Sequence, residues 1–314
     1  MENMRAVVVR GHSPTRIVLE VVAAPIPTPS EAIVRVAATS LNLGEVRGSR
    51  SSQDGARPGW DLAGTVEHSA LDGSGPTEGT RVVGLLPSGS WAEFVAVPTH
   101  SLAVLPPEVS FSDAATLPVA GLTALYCLEH AGSLLGQSVL ITGASGGVGH
   151  IACSIARHAG AKVIASVRSP ERADLVRELG VHEVIIGEEI NAAKDFGPYD
   201  LILESIGGRV LAQALTMVAS DGACVTYGVS QAGESTIRVR DFFRTGGVSL
   251  YGFILFHEIK RRQAAQGLQR LVQLVSDDVL QPWVTVEAPL EEIGMIADRL
   301  YNREIVGKAV IHFQ

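Results

Sequence analysis

Two hydrophobic patterns divide the chain. Up to about residue 110, short apolar runs alternate with Gly, Pro, Asp and Ser, and no segment keeps a helical period over three turns. This pattern predicts β-strands at 6–9, 32–37, 63–67, 81–85 and 93–97. The intervening segments are typical of turns and loops, and RGSRSSQDGARPG is long enough to form a mobile loop beside a site.

From about residue 112 the apolar period changes, and helices alternate with strands. Ser112 and Asp113 are expected to cap a first helix, LPVAGLTALYCLEHAG is a second helical stretch, and Ser169 before Pro170 predicts the start of another. Strands are predicted at 138–142, 162–166, 183–186, 200–205, 223–228 and 248–253, and helices at 146–159, 170–179, 207–218 and 257–275. Runs of Val, Ile and Leu separated by helices imply parallel strands covered on both faces, hence a doubly wound α/β domain.

The last part of the chain returns to short strands. These are expected in WVTVEA and GKAVIHF, around a helix at 291–301. A chain that begins with strands, becomes α/β and ends with strands predicts two domains, the first completed by the tail. We expect a mostly-β domain from 1–118 and 279–314, and the α/β domain from 119–278.

The composition and charge of the chain argue against several classes of protein. The 314 residues are 46% hydrophobic with no biased segment, which favours folded domains over disorder. A net charge of −8 without long runs of like charge argues against binding to nucleic acid. No apolar segment has the length of a signal peptide or a membrane span, so we expect a cytoplasmic protein without membrane contact. Cys127, Cys153 and Cys224 lie far apart in apolar surroundings and are expected to be buried thiols.

The segment GASGGVG, from Gly143 to Gly149, follows one predicted strand and opens a helix. Glycines here permit a tight turn, let backbone amides approach a pyrophosphate and bring the helix close to the strand, while the helix N-terminus favours the anion. Further βα units follow, so the segment predicts nucleotide binding. Ala144 stands at the first glycine of the usual fingerprint. The expected binding residues are Gly143, Ala144, Ser145, Gly146, Gly147 and Val148.

Arg168 marks the end of the second predicted strand of this domain. NAD enzymes place an acidic residue there, about 20 residues beyond the glycines, to bind the ribose. No Asp or Glu lies in KVIASVRSP. An arginine can instead form charge-assisted bonds to the 2′-phosphate of NADP, with Ser166, Ser169 or Arg172 assisting. The sequence therefore predicts NADPH as the cofactor, the alternative being a solvated arginine at a strand end.

Several segments in order carry a family resemblance. They are ATSLNLGEVRG around Asn42, RPGWDLAGTVE with Asp61 and Gly64, GSWAEFVAVP around Glu93, and SFSDAATLPVAGLTAL with Thr123. GASGGVG, DLILESIGG, GACVTYG and VGKAVI continue the series. In this order and spacing the chain resembles the zinc-independent medium-chain dehydrogenases/reductases of the quinone oxidoreductase type, which include zeta-crystallin and the enoyl reductase domains of polyketide synthases.

The resemblance implies a GroES-like catalytic domain, a Rossmann domain, and a cleft that holds the nicotinamide. It implies that Asn42 lies near the nicotinamide and the substrate, and that a homodimer forms through the Rossmann sheet edges at 248–253. The further cofactor-binding residues implied are Thr123, Tyr227, Gly228, Val229, Phe253, Ile254, Leu255 and Lys308. Ile186 and Gly187 stand where relatives often carry an aromatic or polar residue, which weakens the expectation of adenine contacts there.

Zinc-dependent relatives hold their metal with Cys and His in the catalytic cleft and carry a second lobe with four Cys. The corresponding places here hold Ser40, Leu41, Asn42, Gly59, Trp60, Asp61, Val119 and Ala120. This set contains no soft metal ligands, so we expect no bound metal. Hydride addition to a quinone or to a carbonyl-conjugated C=C bond mainly needs positioning and a donor that stabilises the oxygen.

The expected activity is therefore NADPH-dependent reduction of a small-molecule electron acceptor, a quinone, an enone or an enoyl-type C=C compound. Asn42 is the candidate donor of the catalytic site. Tyr126 is a second candidate that could protonate the enolate, although its helical spacing is typical of core packing, and water could supply the proton. A nucleotide-binding protein with a non-catalytic role, in RNA binding or as a crystallin-like protein, is the alternative, and the negative net charge disfavours RNA.

Overall fold

The computed structural model describes residues 2–231, 233–243 and 245–313, and these fall into two compact units. The first unit is drawn from 1–122 and 259–314, and the second is Thr123–Glu258. The sequence pattern predicts divisions at 118 and 279, so the predicted domains and the two units differ mainly over 259–278. In the structure, this stretch contains a helix that packs against strands of the first unit.

The chain begins with strands and short helices. The first two strands, β1 (Asn3–Val9) and β2 (Ile17–Ala23), pair antiparallel as a separate two-stranded sheet. Then follow β3 (Glu31–Ser40), α1 (Leu43–Ser51), β4 (Asp61–His68), β5 (Arg81–Leu85), β6 (Phe94–Pro98), a 3-10 turn (Thr99–Ser101), β7 (Leu102–Val104), α2 (Phe111–Ala115) and a π-helical turn (Leu117–Gly121). All five predicted strands are confirmed, whereas β2, β7 and α1 were not predicted.

Local hydrogen bonds explain why α1 was not predicted and why α2 begins before the expected caps. The sequence LGEVRGSRS of α1 has too few apolar residues for a helical stripe, and the helix instead begins with a capping box between Asn42 and Glu45. The caps expected at Ser112 and Asp113 are wrong. Ser110 is the N-cap of α2, and its hydroxyl oxygen accepts the backbone N–H of Asp113.

The second unit is a doubly wound α/β domain, as predicted. Its elements are α3 (Leu122–Leu128), a 3-10 turn (Glu129–Ala131), β8 (Ser138–Ile141), α4 (Gly147–His158), β9 (Lys162–Val167), α5 (Pro170–Arg177), β10 (Glu183–Ile186), a 3-10 turn (Asn191–Phe196), β11 (Tyr199–Glu204), α6 (Gly208–Leu215), β12 (Val218–Thr226), α7 (Val239–Phe243), β13 (Ser249–Gly252) and α8 (Leu255–Glu258). The six strands are parallel in the order β10-β9-β8-β11-β12-β13. Strand order reverses between β8 and β11, and such sheets bind ligands beyond the carboxyl ends of the strands at that point.

The single helix expected at 257–275 is wrong, because the segment forms α8 and a separate α9 (Ala264–Ser276). Gln263 has an extended backbone and is the N-cap of α9. The apolar positions with a helical period, such as Leu268, Leu271 and Val272, all lie after that break and are buried. The predicted helix at 207–218 also ends early, since Val218 already begins β12.

The tail completes the main sheet of the first unit. It consists of β14 (Val284–Pro289), a 3-10 turn (Leu290–Glu292), α10 (Ile293–Tyr301) and β15 (Lys308–His312). The seven-stranded sheet has the order β14-β15-β3-β4-β5-β7, and β6 pairs with β3. Because β15 pairs antiparallel with β3, with Val310 opposite Ser40, the tail lies beside the chain that leads to Asn42.

Two expectations about the interior and the surface can be compared with the structure. Cys127, Cys153 and Cys224 are all buried and free, as expected. Among residues 2–231, 233–243 and 245–313, no helix has the length and apolar character needed to span a membrane.

Candidate functional site

The glycine loop lies where strand order reverses in the second unit. Gly143 follows β8 with a φ of +61°, and a Cβ at this position would lie 2.7 Å from the hydroxyl oxygen of Ser205. A Cβ on Gly149 would overlap the backbone of Gly143 and Ala144. Both positions therefore require glycine, one for the turn and one for the close approach of α4 to the loop.

The loop presents the start of α4 to a ligand. Ala144 and Ser145 are buried, and the N–H of Ala144 donates to the carbonyl oxygen of Ser166 at 3.0 Å, which ties the loop to β9. Gly146 is the N-cap of α4, and Gly147 and Val148 are half-buried in its first turn. The first N–H groups of a helix lack intrahelical acceptors, so this turn can bind an anion.

Ser205 links the two strand ends that flank this point. Its N–H donates to the hydroxyl oxygen of Thr142 at 3.0 Å, and its own hydroxyl donates to the carbonyl oxygen of Thr142. Tyr227 follows β12, its side chain hydrogen-bonds with Ser205, and burial raises the pKa of its phenol. Gly228 also lies beside Ser205, whereas the side chain of Val229 is about half exposed. Tyr227 and Gly228 are thus brought to the same crevice as the glycine loop.

The segment after β13 is held by its backbone. The N–H of Phe253 donates to the carbonyl oxygen of Thr226 at 2.8 Å, beside the end of β12. Phe253 and Leu255 are buried, and Ile254 is 66% exposed. Of these three residues, which the resemblance implies bind the cofactor, Ile254 is therefore the one whose side chain is accessible.

Two arginines lie near the end of β9. Arg168 is exposed, and Arg172 is half-buried in α5 with its Nη1 3.4 Å from the hydroxyl oxygen of Ser145. Burial lowers the pKa of Arg172, and the positive charge of Arg168 lowers it further. Two cationic side chains therefore lie close together beside the glycine loop, an arrangement suited to an anion.

In the first unit, a buried carboxylate joins several of the residues singled out from the sequence. Asp61, at the start of β4, is fully buried. Its Oδ2 accepts hydrogen bonds from the Ser40 hydroxyl at 2.5 Å and from Asn42 Nδ2 at 2.7 Å, and its Oδ1 accepts the N–H of Val119 at 2.9 Å. Lys308 Nζ lies 3.6 Å from Oδ2 and forms a buried ion pair.

Lys308, expected from the resemblance to bind the cofactor, has its ammonium inside this group. Its Nζ donates to the carbonyl oxygen of Leu41 at 3.0 Å and to Asn42 Oδ1 at 2.7 Å. Burial lowers the pKa of Lys308, while the carboxyl groups of Asp61 and Glu45 act in the opposite direction. The side chain is 3% exposed, so its contacts lie within the unit.

Asn42 is the half-buried member of the group, and its amide is fixed from three directions. Nδ2 donates to Asp61 Oδ2 at 2.7 Å and to Glu45 Oε1 at 3.1 Å, and Oδ1 accepts from Lys308. Glu45, which the sequence analysis missed, is buried and also accepts the backbone N–H of Asn42 at 2.7 Å. Its spacing of three residues from an Asn N-cap is the signal that could have found it.

Two further predicted residues lie on α3. Tyr126 is 3% exposed and Thr123 is 6% exposed.

Among the described ranges 2–231, 233–243 and 245–313, the structure contains no group of three His, Cys, Asp or Glu side chains arranged for a metal ion.

Comparison with known proteins extends this description. The chain matches the family models for the alcohol dehydrogenase GroES-like domain over 28–107 and for zinc-binding dehydrogenase over 147–273. It is 30% identical over 306 residues to a human quinone oxidoreductase, covering 92% of this chain and 91% of that protein. A mycocerosic acid synthase-like polyketide synthase of Mycobacterium tuberculosis is 31% identical over 303 residues, which are 91% of this chain and 14% of the synthase.

A solved structure agrees with this relationship. The quinone oxidoreductase from Coxiella burnetii is 25% identical, has a TM-score of 0.85 and covers 100% of both chains. The Rossmann sheet with its glycine loop, together with the GroES-like unit, defines an oxidoreductase of the dinucleotide-binding class. The chain belongs to the medium-chain dehydrogenase/reductase family, in the group of the quinone oxidoreductases.

Proposed function

We propose that this protein is an NADPH-dependent reductase that transfers hydride to a quinone or to a carbonyl-conjugated C=C bond without a metal ion. The observation that carries the proposal is the glycine loop at the strand-order reversal, with Arg172 against Ser145 beside it. The human relative is named a quinone oxidoreductase, and the mycobacterial relative is a polyketide synthase. These names support an acceptor with an activated carbonyl or quinone group.

The residues of the second unit fit a dinucleotide phosphate. The turn at Gly143 leaves no room for a side chain, and the N–H groups of Gly147 and Val148, in the first turn of α4, would bind a pyrophosphate. Arg168 and Arg172 would bind the 2′-phosphate through charge-assisted hydrogen bonds. The nicotinamide, when bound, supplies the hydride.

The ribose and nicotinamide side would be bound by the segments after β12 and β13. The proposed residues there are Tyr227, Gly228, Val229, Phe253, Ile254 and Leu255, with Thr123 nearby. Tyr227 is oriented by its bond to Ser205, and the N–H of Phe253 is already used by Thr226. We therefore expect backbone groups and the accessible Ile254 side chain to make most of these contacts.

Asn42 is the proposed donor to the oxygen of the acceptor. One of its amide hydrogens is committed to Asp61 at 2.7 Å, and the other makes the longer bond of 3.1 Å to Glu45 Oε1. Glu45 Oε1 also accepts the backbone N–H of Asn42. It therefore keeps a hydrogen-bond partner when the Nδ2 hydrogen of Asn42 turns to the oxygen of the electron acceptor. Lys308 holds Oδ1 and prevents the amide from turning over. Water supplies the proton in this scheme, because Tyr126 is buried in α3 with the spacing of a core residue.

The residues around Asp61 support the proposal that the activity needs no metal ion. The positive charge beside this carboxylate comes from the Lys308 ammonium. A zinc ion at Asp61 would be repelled by that ammonium, and the nearby Ser40 hydroxyl and Asn42 amide are poor zinc ligands. Polarisation of the acceptor is therefore assigned to hydrogen bonding.

A homodimer through β13 is part of the same proposal. β13 is the last strand of the sheet, and its outer edge has no strand partner within residues 2–231, 233–243 and 245–313. Leu250 on this strand is 40% exposed. A second copy would pair with this edge. Sedimentation of the wild type and of Leu250→Pro should show a dimer and a monomer, respectively, and a monomeric wild type would refute it.

Consumption of NADPH with a panel of quinones and enones tests the activity. The proposal requires oxidation of NADPH that depends on an acceptor and matches product in amount. NADPH binding without turnover on every quinone and enone would instead favour the non-catalytic alternative, which the comparisons do not favour.

A further inference from the structure

Glu45 contributes a second carboxyl group to the buried group around Asn42. Its Oε1 accepts both the backbone N–H and the Nδ2 hydrogen of Asn42. Its Oε2 is buried and has no hydrogen-bond partner among the described residues. Asp61 lies on the other side of the same amide. One side-chain amide is therefore shared by two carboxyl groups.

The charges of this group are unequal if both carboxyl groups are ionised. Asp61 and Glu45 would carry two negative charges, and Lys308 carries the positive charge that faces them. Asp61 is the paired carboxylate, since Lys308 Nζ lies 3.6 Å from its Oδ2. An additional unpaired charge in the interior is strongly unfavourable, because an ion loses its hydration on burial. The neutral acid is therefore the form of Glu45 that balances the group.

The influences on Glu45 agree with this assignment. Burial raises its pKa well above the ordinary range, the charge of Asp61 on β4 raises it further, and Lys308 on β15 acts in the opposite direction. From α10, which also packs against α1, Asp298 pairs with Arg50 in the last turn of α1. Arg47 on α1 is exposed. Oε1 already accepts two hydrogen bonds from Asn42, so Oε2, the buried oxygen without a hydrogen-bond partner in the described ranges, is the oxygen at which a proton would leave those bonds intact.

We propose that Glu45 is a positioning residue for the reduction: as a neutral acid it orients the Asn42 amide toward Lys308 and the acceptor, and its ionisation switches the reduction off. This inference rests on the proposed reductase function. An ionised Glu45 would bind the Nδ2 hydrogen of Asn42 more strongly and would attract the Lys308 ammonium away from Asn42 Oδ1. The acceptor would then lose its donor.

The pH dependence has a definite sign. A group with a raised pKa is protonated below that pKa and ionised above it, so the reduction declines as pH rises through the pKa of Glu45. Lys308 has a lowered pKa and could give an alkaline decline as well. Glu45→Gln distinguishes the two groups, because a Gln carbonyl oxygen can accept the same two hydrogen bonds from Asn42 and cannot ionise.

The kinetic test compares wild type, Glu45→Gln and Glu45→Ala between neutral and alkaline pH. Glu45→Ala should lower kcat by about tenfold, with KM for NADPH changed by less than about twofold, since only the orientation of Asn42 is lost. Glu45→Gln should recover most of that loss and should lose the alkaline decline that Glu45 causes, so that any decline remaining in this variant is due to Lys308. A Glu45→Gln enzyme whose kcat declines with pH as that of the wild type does, or a wild type whose kcat does not decline, would overturn the proposal.

An infrared measurement tests the protonation without any turnover. At neutral pH, the difference spectrum between wild type and Glu45→Gln should contain the carbonyl stretching band of a protonated carboxyl group. Glu20→Gln is the control, because Glu20 pairs with Arg10 and its pKa is lowered, so no such band should be lost. Absence of the band in the Glu45 comparison refutes the neutral acid. If the band is present but no acceptor is reduced, the proposed function fails and the protonation state stands.

Discussion

Asn42 Oδ1 lies 2.7 Å from Lys308 Nζ, although the two residues are 266 positions apart in the sequence. The pairing of β15 with β3 makes this contact possible, because it places the start of the last strand beside the end of the third. Asp61 completes the arrangement from β4. Three distant segments of the chain thus build one buried polar group around one amide.

Removal of the Lys308 charge should destabilise the first unit. Lys308→Met keeps the length of the side chain but leaves Asp61 buried without its cation, which typically costs about 3–5 kcal/mol. Chemical denaturation measures the free energy of unfolding. Lys162→Met, at an exposed residue that begins β9, is the matched control and should change it by less than about 0.5 kcal/mol. A Lys308→Met protein as stable as this control would show that the ion pair contributes little.

Asn42→Ala should lower turnover far more than cofactor affinity. Loss of one donor that acts in the transition state costs about 2.7–4 kcal/mol, or roughly 10²–10³ in kcat. NADPH affinity should stay nearly constant, because the proposed phosphate contacts lie in the other unit. Steady-state rates and NADPH titration measure the two effects. Asn191→Ala, at an exposed residue, should leave both unchanged. Unchanged turnover in Asn42→Ala would remove Asn42 from the catalytic role.

The two arginines beside the glycine loop should set the preference for NADPH. A charge-assisted hydrogen bond contributes about 1.5–3 kcal/mol, or roughly 10- to 150-fold in affinity. We expect the wild type to bind NADPH at least about tenfold more tightly than NADH, and Arg168→Ala to remove most of this difference with NADH almost unaffected. Arg172→Ala should act in the same direction. Titration of both nucleotides measures the preference.

Salt and a neighbouring arginine provide the controls for that experiment. Raising ionic strength should weaken NADPH more than NADH, because Arg168 is exposed. Arg177→Ala, in the same helix but paired with Asp174, should change neither affinity. Equal wild-type affinities, or a variant at Arg168 that weakens both nucleotides alike, would mean that this arginine is only a solvated charge.

Removal of metal ions should leave the activity unchanged. Because the Lys308 ammonium faces Asp61, we expect no metal ion at this group for a strong chelator to remove. Dialysis against the chelator, followed by assay and elemental analysis, measures the effect. Stoichiometric zinc whose removal abolishes activity would contradict metal-independent reduction.

Local patterns predicted most of the second unit. The strand before GASGGVG, the helix after it and the βα alternation are all visible within short windows, so β8, α4 and the parallel sheet were expected. The segment around α1 was not, since its helix depends on the capping box of Asn42 and Glu45 rather than on an apolar stripe. The break between α8 and α9, before Ala264, was not predicted either. The charged residues that precede it are compatible with a helix, so they give no signal that a helix ends there.

The electrostatic part of the site could not be derived from the sequence. Lys308 and Asp61 are ordinary charged residues until β15 pairs with β3 and buries both. Glu45 gave only the weak signal of its spacing from Asn42. The choice of hydrogen-bond partners depends on ångström-scale distances that no residue pattern encodes. The two acceptors of the Asn42 amide, Glu45 and Asp61, are an example.

Transfer of hydride from NADPH to the acceptor is the step on which the proposed activity depends, and transfer of an isotope measures it directly. The protein would be incubated with an enone and, in two parallel reactions, with NADPH carrying deuterium in either of the two positions at C4 of the nicotinamide. We expect one deuterium in the reduced product from one of the two cofactors, found by mass spectrometry, and none from the other. Product without deuterium from either cofactor, or NADPH bound with no product from any enone or quinone, would contradict it.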